Sequence, residues 1–256
     1  MEHRLSVPIS GPAPAFVIED DPFARWALGQ YLESLRFTVL TAETYTDAAA
    51  LIAGHPPPRL AIVDLALRNN PAERIPQSRS RGITLVHALK RRDPAVAVVI
   101  WSAYGSTIAP ILPLLTSGYT GLAYVAKGSP QEALHDAISH ALRQDVFFQP
   151  GIDHAATASW DQMFLDALEP AVAATVVKLA RCFDELTPQQ RAVAERMACT
   201  TEAIAHQLGI RVTTVRKYID AIYDRLELKD TEAVAGYRRE VLLALAHILR
   251  RLQTTA

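Results

Sequence analysis

Acidic side chains close two of the chain's short apolar runs. Glu19, Asp20 and Asp21 follow the run at 15–18 (AFVI), and Asp64 follows the run at 60–63 (LAIV). Ser102 and Lys127 stand just past two further runs, at 96–101 and 122–126. Branched residues in unbroken runs of this length fit strands covered on both faces of a parallel sheet, and ligands gather where such strands end. A carboxylate that ends a buried strand therefore marks a candidate site.

The elements that must position these groups can be traced along the chain. Candidate strands at 15–18, 37–40, 60–63, 96–101 and 122–126 alternate with helical stretches near 22–35, 45–53, 82–92, 106–117 and 130–143. That is five βα units and an α/β class. Ser129, Pro130 and Glu132 have the spacing of a capping box opening the last of these helices. The prolines at 56–58 read as the turn into the Asp64 strand, and 68–81 is a polar excursion. From 144 to 159 the composition loosens into a linker. Trp160, Phe164, Leu168, Val172, Val176, Leu179 and Phe183 then recur at helical spacing. Pro170 either begins a new helix or kinks a long one.

Composition narrows the classes. The 256 residues are 50% hydrophobic, enough for a sizeable core in one large domain or two ordinary ones. The net charge of -1 hides an asymmetry. Residues 1–185 carry 15 basic and 19 acidic side chains, whereas 186–256 carry 11 and 8, so a polyanion partner would meet the C-terminal part. Cys182 and Cys199 are too few for a disulfide framework and lack zinc spacing, which predicts a reducing cytoplasm. The first residues contain no apolar stretch of a signal peptide, and no segment has the length of a membrane span, so no membrane association is expected.

VIEDDP, AIVD, the hydroxyl residue of IWSAY, and YVAK fall in order at successive strand ends. In these pieces residues 15–145 resemble the response-regulator receiver domain. The resemblance implies a flavodoxin-like (βα)5 fold with a parallel sheet of order 2-1-3-4-5. It makes Asp64 the phosphoacceptor, served by a histidine kinase or phosphotransfer protein. Glu19, Asp20, Asp64 and the backbone carbonyl of Ala66 would hold Mg²⁺, with Asp21 a neighbour rather than a ligand. Lys127 would pair with the phosphoryl oxygens, Ser102 would bond the phosphoryl group once present, and Tyr124 would be the aromatic switch.

The chain departs from that pattern in places. Gly128 replaces the proline after the lysine, putting the usual cis geometry there in doubt. The segment between Asp64 and Gly82, the counterpart of the family's loop glycine, is enlarged by about ten residues. Its Arg68, Arg74, Arg79 and Arg81 either contact phosphate or a partner or, as the polar composition favours, belong to a mobile solvated loop with no assigned role. Ala66 and Tyr104 offer no carboxamide to orient water, which predicts slow autodephosphorylation.

Further on, Thr187 and Gln190 have capping-box spacing and open a helix to about 198. Helices near 201–208, 212–226 and 230–251 follow, with Gly209 placed for the turn between the first two of these. ELTPQQRAVAERMA, TEAIAHQLGI, TTVRKYIDAIYDRLEL and TEAVAGY resemble the LuxR/NarL-type helix-turn-helix over about 185–237. Ala205, Leu208, Val215, Ile219, Ile222 and Leu226 would form its core. Thr213, Thr214, Arg216, Lys217, Tyr218 and Arg225 would face double-stranded DNA. Arg216 either bonds a guanine edge or neutralises phosphate. Gln190, a shortened segment after Ala198 and Arg211 at the cap position depart from the family, and Asp220 and Asp224 put acidic charge on the same helix. The stripe Val241, Leu242, Leu245, Ile248 and Leu249 makes either a homodimer seam or intrachain packing against 160–183.

The expected organisation is an extension at 1–14, a receiver at 15–145, a helical linker at 146–184 and an all-α DNA-binding domain at 185–256. The expected function is a bacterial, cytoplasmic, phosphorylation-dependent transcription regulator rather than an enzyme. The alternative is a receiver-containing interaction protein whose helix-turn-helix has turned to protein binding or dimerisation. A carboxylate-metal phosphohydrolase would share the acidic cluster and Lys127 but leaves 185–237 unexplained.

Overall fold

A computed structural model describes residues 13–73, 81–103, 109–149, 160–228 and 236–255. The chain divides into two compact units, one of residues 1–110 and 121–153, the other of residues 111–120 and 154–256.

The first unit is built on a parallel sheet. The apolar runs become β1 (Ala13–Ile18), β2 (Phe37–Ala42), β3 (Leu60–Asp64), β4 (Ala97–Ser102) and β5 (Leu122–Ala126). Between them lie α1 (Pro22–Ser34), α2 (Tyr45–Gly54) and α3 (Arg81–Arg92), and α5 (Gln131–Leu142) follows β5; α4 (Leu112–Thr116), between β4 and β5 in the chain, belongs to the second unit. The sheet order is β2-β1-β3-β4-β5, extended at the β5 edge by a three-residue strand, β6 (Val146–Phe148), in parallel register. The five-strand flavodoxin-like order is as expected, whereas β6 falls where a linker was predicted. Every side chain of β3 is buried, as expected of a strand covered on both faces.

The core joins Val17, Leu60, Ile62, Val99, Val125 and Ile138, so the sheet centre is held by aliphatic packing. Local caps set the helix starts. Asp21 accepts from the Ala24 amide at 2.7 Å with Pro22 at the first helical position, and Thr44 accepts from the Asp47 amide at 3.2 Å. The capping box expected at Ser129 does not form: the cap residue of α5 is Pro130. The Ser129 hydroxyl lies instead 2.7 Å from the Ala126 carbonyl and 2.6 Å from Gln149 Oε1.

In the second unit, Pro170 starts a new helix: α6 (Trp160–Asp166) and α7 (Pro170–Cys182) are separate, followed by a 3-10 turn at Phe183–Glu185. Next come α8 (Pro188–Ala194), α9 (Thr201–Leu208), α10 (Val212–Arg225) and α11 (Arg239–Thr255). Thr187 and Gln190 complete both halves of the predicted capping box. Gly209 ends α9 at φ 64° in the left-handed region, the turn foreseen for it. The last helix begins at Arg239 rather than near 230, and Gly236 at φ 81° stands outside helical conformation ahead of it. Residues 229–235 lie outside the described residues. Leu242, Leu245, Ile248 and Leu249 are buried within the chain, and α11 packs on α7, which favours the intrachain alternative for that stripe. Neither Cys182 nor Cys199 is in a disulfide, and each is partly exposed.

Candidate functional site

The sheet order reverses around β1 and β3, and the predicted acidic residues stand at the carboxyl ends of those two strands. Glu19 follows β1, its amide bonded to the Ala42 carbonyl at 3.1 Å. Asp64 is the last residue of β3, and both carboxylates are buried. Asp20 is half-buried, and one ligand atom from each of the three lies within 4.8 Å of the others. Lys127 follows β5, where its amide donates to the Ser102 carbonyl at 2.7 Å. Its Nζ reaches Glu19 Oε1 and Asp64 Oδ2, at 2.8 Å each. The Ala66 amide donates to Asp64 Oδ1 at 3.1 Å.

Burial and the nearby Asp64 charge push the Glu19 carboxyl from its ordinary 4.5 up to about 7, against the pull of Lys127. Burial works against the Lys127 ammonium, but the Asp64 charge and its hydrogen bonds to both carboxylates prevail and hold its pKa above the ordinary value. Glu19 Oε2 is buried with no hydrogen-bond partner among the described residues. An unpaired carboxylate oxygen in such a place is costly unless something completes it. Together with Asp20 and Asp64 it makes an all-oxygen donor set that fits a hard divalent cation.

Asp21 keeps out of this group, because its side chain is spent on the cap of α1. Ser102 is fully buried at the end of β4. Tyr124 points inward, hydrogen-bonded to Ser102; burial raises the pKa of its phenol and the Ser102 bond opposes the shift. Gly128 sits at φ 86°, a conformation closed to proline, and no cis peptide bond occurs among the described residues. Gly82 is required for space: a Cβ there would lie 2.3 Å from the Asp64 carbonyl oxygen and 2.6 Å from Leu65 Cα.

The enlarged loop is not simply solvated, which corrects the sequence reading for two of its arginines. Arg68 Nε lies 3.3 Å from Asp20 Oδ2, and its Nη2 lies 2.7 Å from Glu43 Oε1. Arg81 Nη1 donates to the Leu67 carbonyl at 2.9 Å and to Glu73. Arg74, Arg79 and Tyr104 lie outside the described residues. Arg25 was also missed. It donates to the Glu19 carbonyl at 2.7 Å and to Glu43 Oε2 at 3.3 Å.

On the second unit, α10 packs on α8 and α9 through Val215, Ile222 and Leu226, with Ala205 buried beneath, while Leu208 and Ile219 are only partly buried. Thr213, Arg216, Lys217 and Arg225 are exposed, and Thr214 and Tyr218 are half-buried. Arg216 lies 4.0 Å from Glu202, both well exposed. Arg225 donates to the Glu185 carbonyl at 2.5 Å. Tyr223, unremarked in the sequence, is buried and donates to Glu240 at 2.9 Å, tying α10 to α11.

No family model matches the chain. A curated relative, a cyclic di-GMP phosphodiesterase of Thermotoga maritima, is 30% identical over 131 residues, which are 51% of this chain and 31% of that protein. The chain thus spans about a third of the length of this curated relative. Among solved structures, full-length FixJ from B. japonicum is 18% identical with a TM-score of 0.41, covering 93% of this chain and 98% of that one. A LuxR-family two-component response regulator from Aurantimonas sp. is 20% identical with a TM-score of 0.43, covering 56% and 93%. RcsB from Salmonella enterica serovar Typhimurium, bound to promoter rprA in the presence of BeF3-, is 17% identical with a TM-score of 0.41, covering 93% and 98%.

Proposed function

We propose that the chain is a phosphorylation-controlled DNA-binding regulator of the two-component type, with a receiver at 15–145 and a helix-turn-helix output domain at 185–256. The observation that carries it is the meeting of Asp64 with Lys127 at 2.8 Å beside the unpartnered Glu19 oxygen. In this reading an Asp64 oxygen attacks the phosphorus of a phosphohistidine on a histidine kinase or phosphotransfer protein. The O–P bond forms, the P–N bond breaks, and the imidazole leaves with the electron pair. Glu19, Asp20, Asp64 and the Ala66 carbonyl would hold Mg²⁺, which supplies charge neutralisation for the transferring group.

Lys127 stands ready to follow the phosphoryl oxygens once Asp64 carries the acyl phosphate, since it already bonds the attacking carboxylate. Ser102 turns to the phosphoryl group and gives up its bond to Tyr124, which frees the aromatic side chain to repack. That exchange shifts a two-state unit whose output is α10 entering a major groove through Thr213, Thr214, Arg216, Lys217 and Tyr218, with Arg225 at the far end of the helix held by the Glu185 carbonyl. A homodimer would double a basic footprint that is modest in one chain. The regulator would act in the cytoplasm, and no helix among the described residues is long and apolar enough to cross a membrane.

The test is twofold. With Mg²⁺ and phosphoramidate, the full chain is expected to gain one phosphoryl group by intact mass, and duplex DNA binding, read by anisotropy, is expected to tighten. No adduct, or no DNA binding at low salt with and without phosphoryl donor, overturns the corresponding half. A second reading, in which the helix-turn-helix binds protein, draws on Asp220 and Asp224, both exposed on α10. Retained phosphoryl uptake with DNA binding absent is the result it expects.

A further inference from the structure

We infer that Arg68 is a resident cation of the acidic site, competing with the divalent metal for Asp20 and thereby setting how much metal the site needs. The inference rests on the proposed metal-binding role of Glu19, Asp20 and Asp64.

The three carboxylates already have protein cations. Lys127 bonds Glu19 and Asp64 at 2.8 Å each, and Arg68 faces the remaining one, with Nε 3.3 Å from Asp20 Oδ2 and Nη2 3.2 Å from the Asp20 carbonyl. The Arg68 side chain is 22% exposed and that of Asp20 is 19% exposed, so water screens their attraction only in part. A metal ion taking the Asp20 carboxylate must therefore displace a guanidinium as well as water.

Arg68 is also held where it is. Its carbonyl accepts from the Tyr45 amide at 2.8 Å, and the Asn69 carbonyl accepts from the Thr46 amide at 3.2 Å and hydroxyl at 2.8 Å. Arg81 grips the Leu67 carbonyl from the far side of the loop. The backbone at Arg68 and Asn69 is thus fastened to the first turn of α2, which keeps the base of the Arg68 side chain beside the acidic site.

Glu43 gives the displaced guanidinium somewhere to stay. It bonds Arg68 at 2.7 Å through Oε1 and Arg25 at 3.3 Å through Oε2, while Arg25 braces the Glu19 carbonyl at 2.7 Å. Arg68 can yield Asp20 while retaining Glu43, which makes the exchange a short movement about a fixed contact. The unpartnered Glu19 oxygen shows that the two cations do not saturate the site: one donor stays available while Asp20 is contested.

The measurement is calorimetric titration of MgCl2 into the full chain. Arg68→Gln is expected to tighten Mg²⁺ binding about fivefold, the effect of removing one partly screened ion pair from the competing state. Arg68→Lys, which keeps the charge on a compact head, is expected to tighten it less. Glu43→Gln should act in the opposite direction and weaken binding, because two guanidinium groups then lose their shared counter-charge. An unchanged or weakened affinity in Arg68→Gln, or the same direction of change in Glu43→Gln, overturns the competition while leaving the metal site standing. Mg²⁺ binding absent from both wild type and Arg68→Gln at millimolar MgCl2 overturns the metal site and the competition with it.

Discussion

The acidic pocket at the ends of β1 and β3 and the exposed face of α10 both carry charge, but they carry it differently. In the pocket, Glu19 and Asp64 are buried, both touch one ammonium, and one oxygen is left over. On α10, Arg216 and Lys217 project into solvent, where the ion pair of Arg216 with Glu202 is long and exposed. Buried charge is specified by geometry, so moving one atom changes the chemistry. Exposed charge acts through its field and tolerates displacement.

Replacing the proposed phosphoacceptor draws the sharpest line between the two. Asp64→Asn is expected to abolish the phosphoryl adduct seen by intact mass, while DNA binding in the absence of phosphoryl donor stays within about twofold of wild type. An adduct that persists would place the acceptor elsewhere and break the comparison at its first member.

Two glycines test whether the regions also differ in how they constrain backbone. A methyl at Gly82 meets the Asp64 carbonyl and Leu65 Cα, so Gly82→Ala is expected to cost about 3 kcal/mol in urea unfolding. Gly209 has open space around it but a φ of 64°, so Gly209→Ala is expected to cost about 1 kcal/mol through conformation alone. Equal costs would mean that the approach of α3 to Asp64 relaxes easily.

Much of this was written in the sequence, for reasons particular residues make plain. Strands covered on both faces spell unbroken apolar runs, so β3 and the acid that ends it could be placed from LAIVD. Capping residues act within three positions, which made Thr187 with Gln190 legible. Ser129 had the same local spacing, but Gln149, twenty residues on, offers its hydroxyl another partner. β6 was missed because three residues cannot establish a period. Arg68 was misread for a similar reason. A single charge in a polar stretch carries no pattern, and its partners Asp20 and Glu43 lie 48 and 25 residues away.

The buried pocket also predicts a pH dependence of stability. The fold raises Glu19 from 4.5 to about 7, so the folded chain binds that proton more tightly than the unfolded chain does. The associated stability is fully present below about 4.5 and is lost as pH rises to about 7. In chelator, Glu19→Gln is expected to remove this part of the slope, seen as a gap between wild-type and variant urea midpoints that widens from about pH 5 to about pH 7. A constant gap would mean that Lys127 already keeps Glu19 ionised in the fold.

The smallest effect separates residues within α10 itself. Arg216 and Lys217 are exposed on α10, and under the proposed DNA-binding reading, replacing either with alanine is expected to lower the salt dependence of DNA binding by about one contact. Arg225 lies on the same helix but spends a donor on the Glu185 carbonyl at 2.5 Å. Its replacement with alanine should cost about 1 kcal/mol of stability and leave the salt slope changed by less than one contact. A full one-contact loss in Arg225→Ala, with stability intact, would show that its guanidinium turns outward when DNA arrives. The α10 surface would then be organised by its ligand, in contrast to a pocket whose groups are held in place before any ligand binds.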